Sequence, residues 1–219
     1  VPAINIARWD GNTWSAVGTG TNGPVRSLGT SNTDLYVGGE FSVAGGLKVN
    51  NIARFDGDGY SALGSDAASG LERIVRAIAV MDSNIYIGGE FTSVGGIRAA
   101  NIARWNGVNW STIGRGRLNG VDGAVFALAA DNNTLFVGGT FRKAGGNDIP
   151  FIAEWDGARW SPLGTGLSGS SPFVFSLLLE GDDLFVGGAF RYAGGVDVQK
   201  IARWNTSTSS WNGLGEGIG

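Results

Sequence analysis

A short motif, isoleucine and alanine followed by a charged residue and an aromatic ring, recurs through this chain at intervals of about fifty residues. Its copies are Ile6-Ala7-Arg8-Trp9, Ile52-Ala53-Arg54-Phe55, Ile102-Ala103-Arg104-Trp105, Ile152-Ala153-Glu154-Trp155 and Ile201-Ala202-Arg203-Trp204. A repeat of this length marks supersecondary units that bury their faces on one another. We therefore expect residues 1–219 to form a single array, with repeat units that start near Asn5, Asn51, Asn101, Phe151 and Lys200.

The second unit predicts four short strands, at residues 51–55, 60–63, 75–80 and 85–89. The first two are separated by Asp56-Gly57, which favours a tight hairpin turn. No stretch of useful length shows helical periodicity. The pattern predicts an all-β fold, a β-propeller of four-stranded antiparallel blades, with four complete blades plus an extra hairpin and a five-blade design. A β-solenoid is the alternative architecture.

The absence of two residue types limits the chemistry. The chain has no histidine and no cysteine, so the usual general base near neutral pH, thiolate nucleophiles and the common zinc ligands are missing. We predict no enzymatic activity, no cofactor and no metal site. The net charge of −3 and the lack of a basic run argue against nucleic acid as a partner. No apolar stretch approaches the ~18 residues of a membrane helix, so we predict no membrane insertion.

Two further recurring features carry a resemblance to a known family. A double glycine follows an apolar strand at Gly38-Gly39, Gly88-Gly89, Gly138-Gly139 and Gly187-Gly188. Aromatic pairs follow at Phe55/Tyr60, Trp105/Trp110, Trp155/Trp160 and Trp204/Trp211. This combination resembles the kelch repeat, and is closer still to the repeats of fungal cortical polarity-marker proteins and secreted bacterial repeat proteins. The resemblance covers the whole chain and implies a propeller whose third strand is innermost, followed outward by the fourth, first and second strands.

The recurring aromatic residues have two interpretations. A ring at one position in every unit is what packing between blades requires, so we expect Trp105 and Trp155 to be buried; a sugar-stacking surface is the alternative. The acids after two double glycines, Glu40 and Glu90, are expected to pair with the arginines of the neighbouring strand, Arg54 and Arg104. Asp56-Gly57-Asp58 is expected to be a turn rather than a calcium loop.

Two sets of loops vary in length and charge between the units. The first comprises residues 19–24, 65–73, 115–124 and 165–172, and the second comprises residues 47–50, 97–100, 147–150 and 196–200. With the blade order above, both sets emerge on the same face of the array. Variable loops on a rigid scaffold favour a binding face, although loop variation without function would give the same pattern. The candidate binding residues on this variable-loop face are Arg115, Arg117, Asp122, Lys143 and Asp148.

The functional expectation is a non-enzymatic extracellular or cell-surface propeller that acts in adhesion, assembly or matrix and fibre structure. A carbohydrate-binding lectin is the first alternative, and a glycan-processing enzyme using Asp/Glu chemistry is the second. The repeats contain five outer hairpins but four inner ones, which leaves the first hairpin without an inner partner. We therefore expect a protein partner or self-association through the terminal hairpins, with glycans as a further candidate ligand, and a fifth blade completed beyond this segment or by another chain.

Overall fold

The computed structural model of the chain describes residues 2–32, 34–64, 73–131 and 133–215, with the side chain of Arg117 excepted. Most of the loop at residues 65–73 therefore lies outside the described residues. Within these ranges the regular structure consists of strands and one short 3-10 helix, η1 (Gly116–Leu118). The same ranges contain no helix of the length and apolarity needed to cross a membrane.

The strands recur in a fixed order. An N-terminal hairpin is formed by β1 (Ala7–Trp9) and β2 (Trp14–Ala16). The first repeat then supplies β3 (Val25–Ser31), β4 (Asp34–Gly39), β5 (Val43–Ala44), β6 (Leu47–Lys48), β7 (Ile52–Phe55) and β8 (Tyr60–Ser61). The second supplies β9 (Val75–Met81), β10 (Asn84–Gly89), β11 (Ser93–Val94), β12 (Ile97–Arg98), β13 (Ile102–Trp105) and β14 (Trp110–Thr112). The third supplies β15 (Val125–Ala130), β16 (Leu135–Gly139), β17 (Lys143–Ala144), β18 (Asn147–Asp148), β19 (Ile152–Trp155) and β20 (Trp160–Pro162). The last supplies β21 (Leu167–Ser168), β22 (Phe173–Glu180), β23 (Asp183–Ala189), β24 (Tyr192–Ala193), β25 (Val196–Asp197), β26 (Ile201–Asn205) and β27 (Ser210–Gly213).

Four strands of each repeat form an antiparallel sheet, which we call a blade. Blade 1 has the order β3-β4-β7-β8, blade 2 β9-β10-β13-β14, blade 3 β15-β16-β19-β20 and blade 4 β22-β23-β26-β27. The strand that carries the double glycine is thus second from the inside, as the resemblance to kelch-type repeats implied. Four complete blades and an extra hairpin confirm the predicted all-β fold. The inner strands β3, β9, β15 and β22 pack side by side in that order.

Local sequence explains where the hairpins begin and turn. The residue before each outer hairpin adopts the left-handed conformation, and it is Asn5, Asn51, Asn101, Phe151 or Lys200, the five predicted repeat starts. Asparagine tolerates this conformation better than other non-glycine residues, which accounts for three of the five. In blades 1 to 4 the carbonyl of this residue accepts a hydrogen bond from the second glycine of the double glycine, at 2.9–3.0 Å. The backbone is therefore fixed where the inner and outer hairpins of a blade meet.

The double glycines allow neighbouring blades to approach closely. A Cβ atom on Gly38 would overlap the side chain of Val75 in the next blade, and one on Gly88 would overlap Val125. Gly138 faces Val174 in the same way. The side of a blade that presents this glycine is here called its forward face, and the side that presents the valine is its backward face. Every internal blade contact joins a forward face to a backward face.

The outer aromatic rings fill the space between blades where the blades diverge. Trp105 and Trp155 are both buried, which confirms the packing interpretation. The second ring of each pair also reaches back to the preceding outer hairpin: the Trp110 indole donates to the Leu63 carbonyl at 3.1 Å, and Trp211 donates to Leu163 at 2.8 Å. These hydrogen bonds connect consecutive blades at their outer edge, far from the close packing of the inner strands.

The N-terminal hairpin occupies the place of an outer hairpin for which no inner hairpin is present in the described chain. Its residue Val17 accepts a hydrogen bond from the Tyr60 hydroxyl at 3.1 Å, as Leu63 does from Trp110. Ile6 and Val17 are buried against blade 1. However, β1 pairs with β2 alone, whereas the equivalent strands of the blades also pair on their other side, β7 with β4, β13 with β10, β19 with β16 and β26 with β23. Among the described strands, β22 and β3 show no packing comparable to that between consecutive inner strands, so the array is an open arc.

One sequence expectation is wrong. Glu40 pairs with Arg26 at 2.8 Å and Glu90 pairs with Arg76 at 2.7 Å, rather than with Arg54 and Arg104. The reason is register: Tyr36 lies opposite Arg54, which places the arginine beside Asp34 at the other end of the strand. Both arginines that pair with glutamate come from the inner strand of the same blade.

Candidate interaction surfaces on one face and at both ends

In blades 1, 3 and 4, where both are described, the two sets of variable loops lie together on one face of the array. The short ribbons β5–β6, β11–β12, β17–β18 and β24–β25 follow the double glycines. The loops that enter blades 1, 3 and 4 bridge to these ribbons, through Thr21 to Ala44, Val121 to Ala144 and Leu167 to Ala193. This pairing confirms that both loop sets emerge on the same side. The Asp-Gly turns lie at the opposite ends of the outer strands.

Three of the five candidate binding residues lie next to one another on this variable-loop face. Asp122 accepts hydrogen bonds from the backbone amides of Arg142 and Lys143, both at 2.7 Å. Lys143 in turn pairs with Asp148 across the β17–β18 ribbon at 3.1 Å. Asn22 makes the same backbone contacts in blade 1, to Ser42 and Val43. These side chains therefore hold the ribbon to its loop, and the Lys143–Asp148 pair is well exposed.

The other two candidates lie at the 3-10 helix. Arg115 is exposed and precedes η1, and Arg117 lies within η1 with its side chain outside the described part of the structure. Arg115 lines a cavity of about 410 Å³ beside Trp155 and Trp160. The structure thus separates the candidates into a ribbon group (Asp122, Lys143 and Asp148) and a helix group (Arg115 and Arg117).

A row of side chains near the start of the inner strands was missed by the sequence reasoning. One residue of each inner strand lies in a β-bulge between the paired positions, and these residues are Arg26, Arg76, Phe126 and Phe175. The Arg76 guanidinium lies 5.3 Å from the Phe126 ring centre, and Phe126 stacks on Phe175 at 5.6 Å. Phe175 also meets Phe173 edge-on at 4.5 Å and is largely exposed. Each of these residues directly follows a valine of its inner strand, but that position alone does not mark a bulge in the sequence.

The backward face of blade 1 is an apolar surface that is only partly covered. Leu28 is 51% exposed, whereas Ile78, at the same position in blade 2, is 8% exposed. Val25 and Leu35 are half-buried, although their equivalents in the other three blades are fully buried. The N-terminal hairpin covers the outer part of this face and leaves the inner part open to solvent.

The forward face of blade 4 is open in the complementary sense. Leu178 is 61% exposed, and Phe185 and Ile201 are half-buried. Their equivalents in blade 3, Phe136 and Ile152, are fully buried against blade 4. Gly187 holds the position of Gly138, yet among the described residues a Cβ on it would meet Ser176 of its own blade and no valine of another blade. The site predictions missed this surface because sequence periodicity gives the same pattern for buried and unburied copies of a repeat.

A groove runs between the N-terminal hairpin and the backward face of blade 1. It has a volume of about 260 Å³ and is lined mainly by Ile6, Val17, Leu28, Leu35 and Phe55. The free edge of β1 borders it. The aromatic pair of this hairpin is exposed, with Trp9 at 49% and Trp14 at 58%. The lining is apolar and uncharged apart from Arg8, so it suits a hydrophobic strand better than a polar ligand.

Comparisons with known proteins agree with this architecture. Residues 34–59 and 82–111 match a family described as "Domain of unknown function (DUF5122) beta-propeller". The computationally designed protein Ika4 is 15% identical, with a TM-score of 0.50 over 85% of this chain and 93% of that one. The extracellular domain of the putative one component system BT4673 from B. thetaiotaomicron is 12% identical, with a TM-score of 0.52 over 87% of this chain and 22% of that one. No curated protein matched the sequence. The chain is a β-propeller repeat protein.

Proposed function

We propose that this chain is a non-catalytic assembly module, in which the forward face of blade 4 of one copy covers the backward face of blade 1 of the next. The observation that supports this most directly is that the two open faces carry the glycine and the valine that meet where internal blades join, although Leu178 replaces the small residue that faces the next blade in blades 1 to 3 (Gly29, Ala79 and Ala129). Leu178 and Gly187 stand on one, and Val25 and Leu28 stand on the other. Repeat arrays normally end in polar faces that prevent such association.

The apolar area exposed on the two faces would stabilise such a contact when it is buried. Full burial of a leucine side chain is worth about 1.5–3 kcal/mol, so covering the exposed halves of Leu28 and Leu178 would contribute about 1 kcal/mol each. Phe185, Ile201 and Val25 would add to this because each is only half-buried. A contact between different faces of identical subunits extends head to tail rather than closing as a two-fold dimer. Fibre or layer structure is the role that such a contact serves best.

The test uses two charged variants and their mixture. Leu28→Glu blocks the backward face and Leu178→Glu blocks the forward face, while Val108→Glu changes an exposed apolar residue in a turn away from both faces. In sedimentation velocity, wild type and Val108→Glu are expected to grow in mass with concentration. Each blocked variant is expected to stay monomeric. An equimolar mixture of the two is expected to form dimers and stop, since each partner retains one working face.

Two outcomes would contradict the proposal. Wild type that stays monomeric over the accessible concentration range would remove its basis. Growth of Leu178→Glu alone, with loss of growth in Leu28→Glu, would show a two-fold contact through one face in place of head-to-tail assembly. Circular dichroism of each variant shows whether it retains the strand content of wild type.

A carbohydrate-binding role is a second candidate, favoured by the exposed ring of Phe175. This ring stacks on Phe126 beside Arg76, and aromatic faces next to charged side chains are suited to hold sugars. A glycan array would test it: signals lost in Phe175→Ala but kept in Leu178→Glu would support a lectin. For the assembly module we also propose an extracellular or surface location, an adhesive role and a kelch-like relationship. Protease digestion of intact source cells, with release of the chain, would test the location.

A further inference from the structure

In the assembly proposed above, two hairpins would occupy the same space beside blade 1. The N-terminal hairpin stands where the outer hairpin of a blade preceding blade 1 would stand, as its contacts to Tyr60 and Thr21 show. If blade 4 of one copy packs on blade 1 of the next, its own outer hairpin, β26–β27, needs that same position. One of the two hairpins must therefore leave.

The two hairpins are closely similar in sequence. The first strand is Ile6-Ala7-Arg8-Trp9 in one and Ile201-Ala202-Arg203-Trp204 in the other, so the four residues are identical. Both hairpins then carry a second tryptophan opposite the first, Trp14 or Trp211, with ring centres 5.4 and 5.2 Å apart. Either hairpin can thus supply the same four side chains to β23, but the next residue differs: Asp10 takes the place of Asn205, whose side chain donates to Asp183 at 2.8 Å.

The N-terminal hairpin also carries an unused charge. Arg54 and Arg203, at the equivalent positions, pair with Asp34 on β4 at 2.6 Å and Asp183 on β23 at 3.2 Å. Arg8 has no carboxylate within ion-pair distance among the residues the structure describes, and β1 has a free edge on the side where such an acid would lie. An inner strand with an aspartate in this register would satisfy both the edge and the charge.

We propose that subunits are joined by hairpin exchange: β1–β2 of one copy replaces β26–β27 on β23 of a second copy. The proposal rests on the assembly function proposed above. In the register of β26, Arg8 would lie opposite Phe185 and beside Asp183 of the second copy, and Trp9 would lie opposite Leu184. The groove beside β1 would then hold the inner hairpin β22–β23, with Gly187 against Val25.

The balance of contacts favours exchange once the faces meet. Before exchange Trp9 and Trp14 are exposed while Trp204 and Trp211 are buried; after it the two pairs change places. The strand pairing lost between β23 and β26 is regained between β23 and β1. The hairpin contacts therefore largely cancel, and the net gain of assembly is the apolar area that is buried when the forward and backward faces meet.

The chain contains no cysteine, so introduced cysteines can report the new register without competing pairs. Arg8→Cys and Phe185→Cys, prepared separately and mixed before oxidation by glutathione disulfide, are expected to give a disulfide-linked heterodimer. Arg8→Cys mixed with Glu180→Cys is the control, since Glu180 lies on β22, which β23 separates from the position that β1 would take. The linkage is expected to form at least tenfold faster in the first mixture than in the control.

A second variant does not depend on the first. Phe185→Cys combined with Arg203→Cys places two cysteines opposite each other within one chain and locks β26 onto β23 when oxidised. The oxidised form is expected to stay monomeric and the reduced form to assemble as wild type does.

The outcomes separate exchange from simple association. If the locked form assembles as well as the reduced form, and residue 8 forms no link to residue 185, the faces meet without exchange and this inference is wrong while the assembly proposal stands. If neither wild type nor the reduced variant assembles, both proposals are wrong.

Discussion

The clearest consequence of the open arc is that the same motif residue should matter very differently at two positions. Trp155 lies between blades 3 and 4 and is 8% exposed, whereas Trp9 on the N-terminal hairpin is 49% exposed. A tryptophan side chain offers about 200 Å² for burial, and buried apolar area is worth about 25 cal/mol per Å². We therefore expect Trp155→Ala to lower the free energy of unfolding by about 4 kcal/mol and Trp9→Ala by about 2 kcal/mol or less.

Urea unfolding followed by far-ultraviolet circular dichroism provides the measurement, at a concentration where wild type is monomeric. Hydrogen exchange by mass spectrometry should accompany it, because an array can open locally at its ends. In Trp9→Ala the faster exchange should be confined to β1–β2 and the adjoining part of blade 1. Equal losses in the two variants, or a loss below about 1.5 kcal/mol for Trp155→Ala, would refute the packing account.

Three further comparisons between variants test local features. Trp211→Phe should lower the free energy of unfolding in urea by about 1 kcal/mol, because it removes the hydrogen bond to the Leu163 carbonyl. Trp160→Phe should lower it less, because the buried indole nitrogen of Trp160 has no hydrogen-bond partner among the described residues. Equal losses in the two variants would contradict this. Lys200→Asn should raise the unfolding free energy by about 0.5–1 kcal/mol, since Lys200 has a φ of 80°, while Lys48→Asn on strand β6 should give no gain. Burial, with Asp156 and Asp131 nearby, raises the pKa of Glu154 above its ordinary 4.5. Between 4.5 and this raised pKa the folded state binds more protons than the unfolded chain, so stability falls as the pH rises through that range. Glu154→Gln should therefore be more stable than wild type at neutral pH and equally stable in acid, and a difference in melting temperature that does not change with pH would contradict this cause.

The architecture could be predicted from the sequence because each repeat contains its own turn and packing residues at fixed positions. Asp56 illustrates this: its carboxylate accepts hydrogen bonds from the amides of Gly59 and Asp58 at 3.0 Å, which fixes the turn and is the main cause that lowers the pKa of Asp56. Trp105 could be placed between blades because its position recurs. Both inferences depend on residues that are close in sequence or repeated at one period.

The end faces and the ion pairs could not be predicted in the same way. Leu28 and Ile78 are chemically alike and occupy equivalent positions, yet one is exposed and the other buried because only the second has a blade behind it. The partner of Glu40 depends on a β-bulge that brings Arg26 beside it, and a bulge shifts the register by one residue without a clear sequence mark. Such features follow from which copies of a repeat have neighbours, rather than from the repeat itself.

The most direct test of end-to-end assembly through the N-terminal hairpin is hydrogen–deuterium exchange of the β1 amides in wild type as protein concentration rises. At low concentration the unpaired edge of Ala7–Trp9 should exchange rapidly, while β7 and β13, which lie between two strands, should be protected. As the sedimenting mass increases, β1 should become protected and Leu28 and Leu178 should exchange more slowly, in proportion to the assembled fraction. A β1 exchange rate that stays constant while the mass rises would contradict the account.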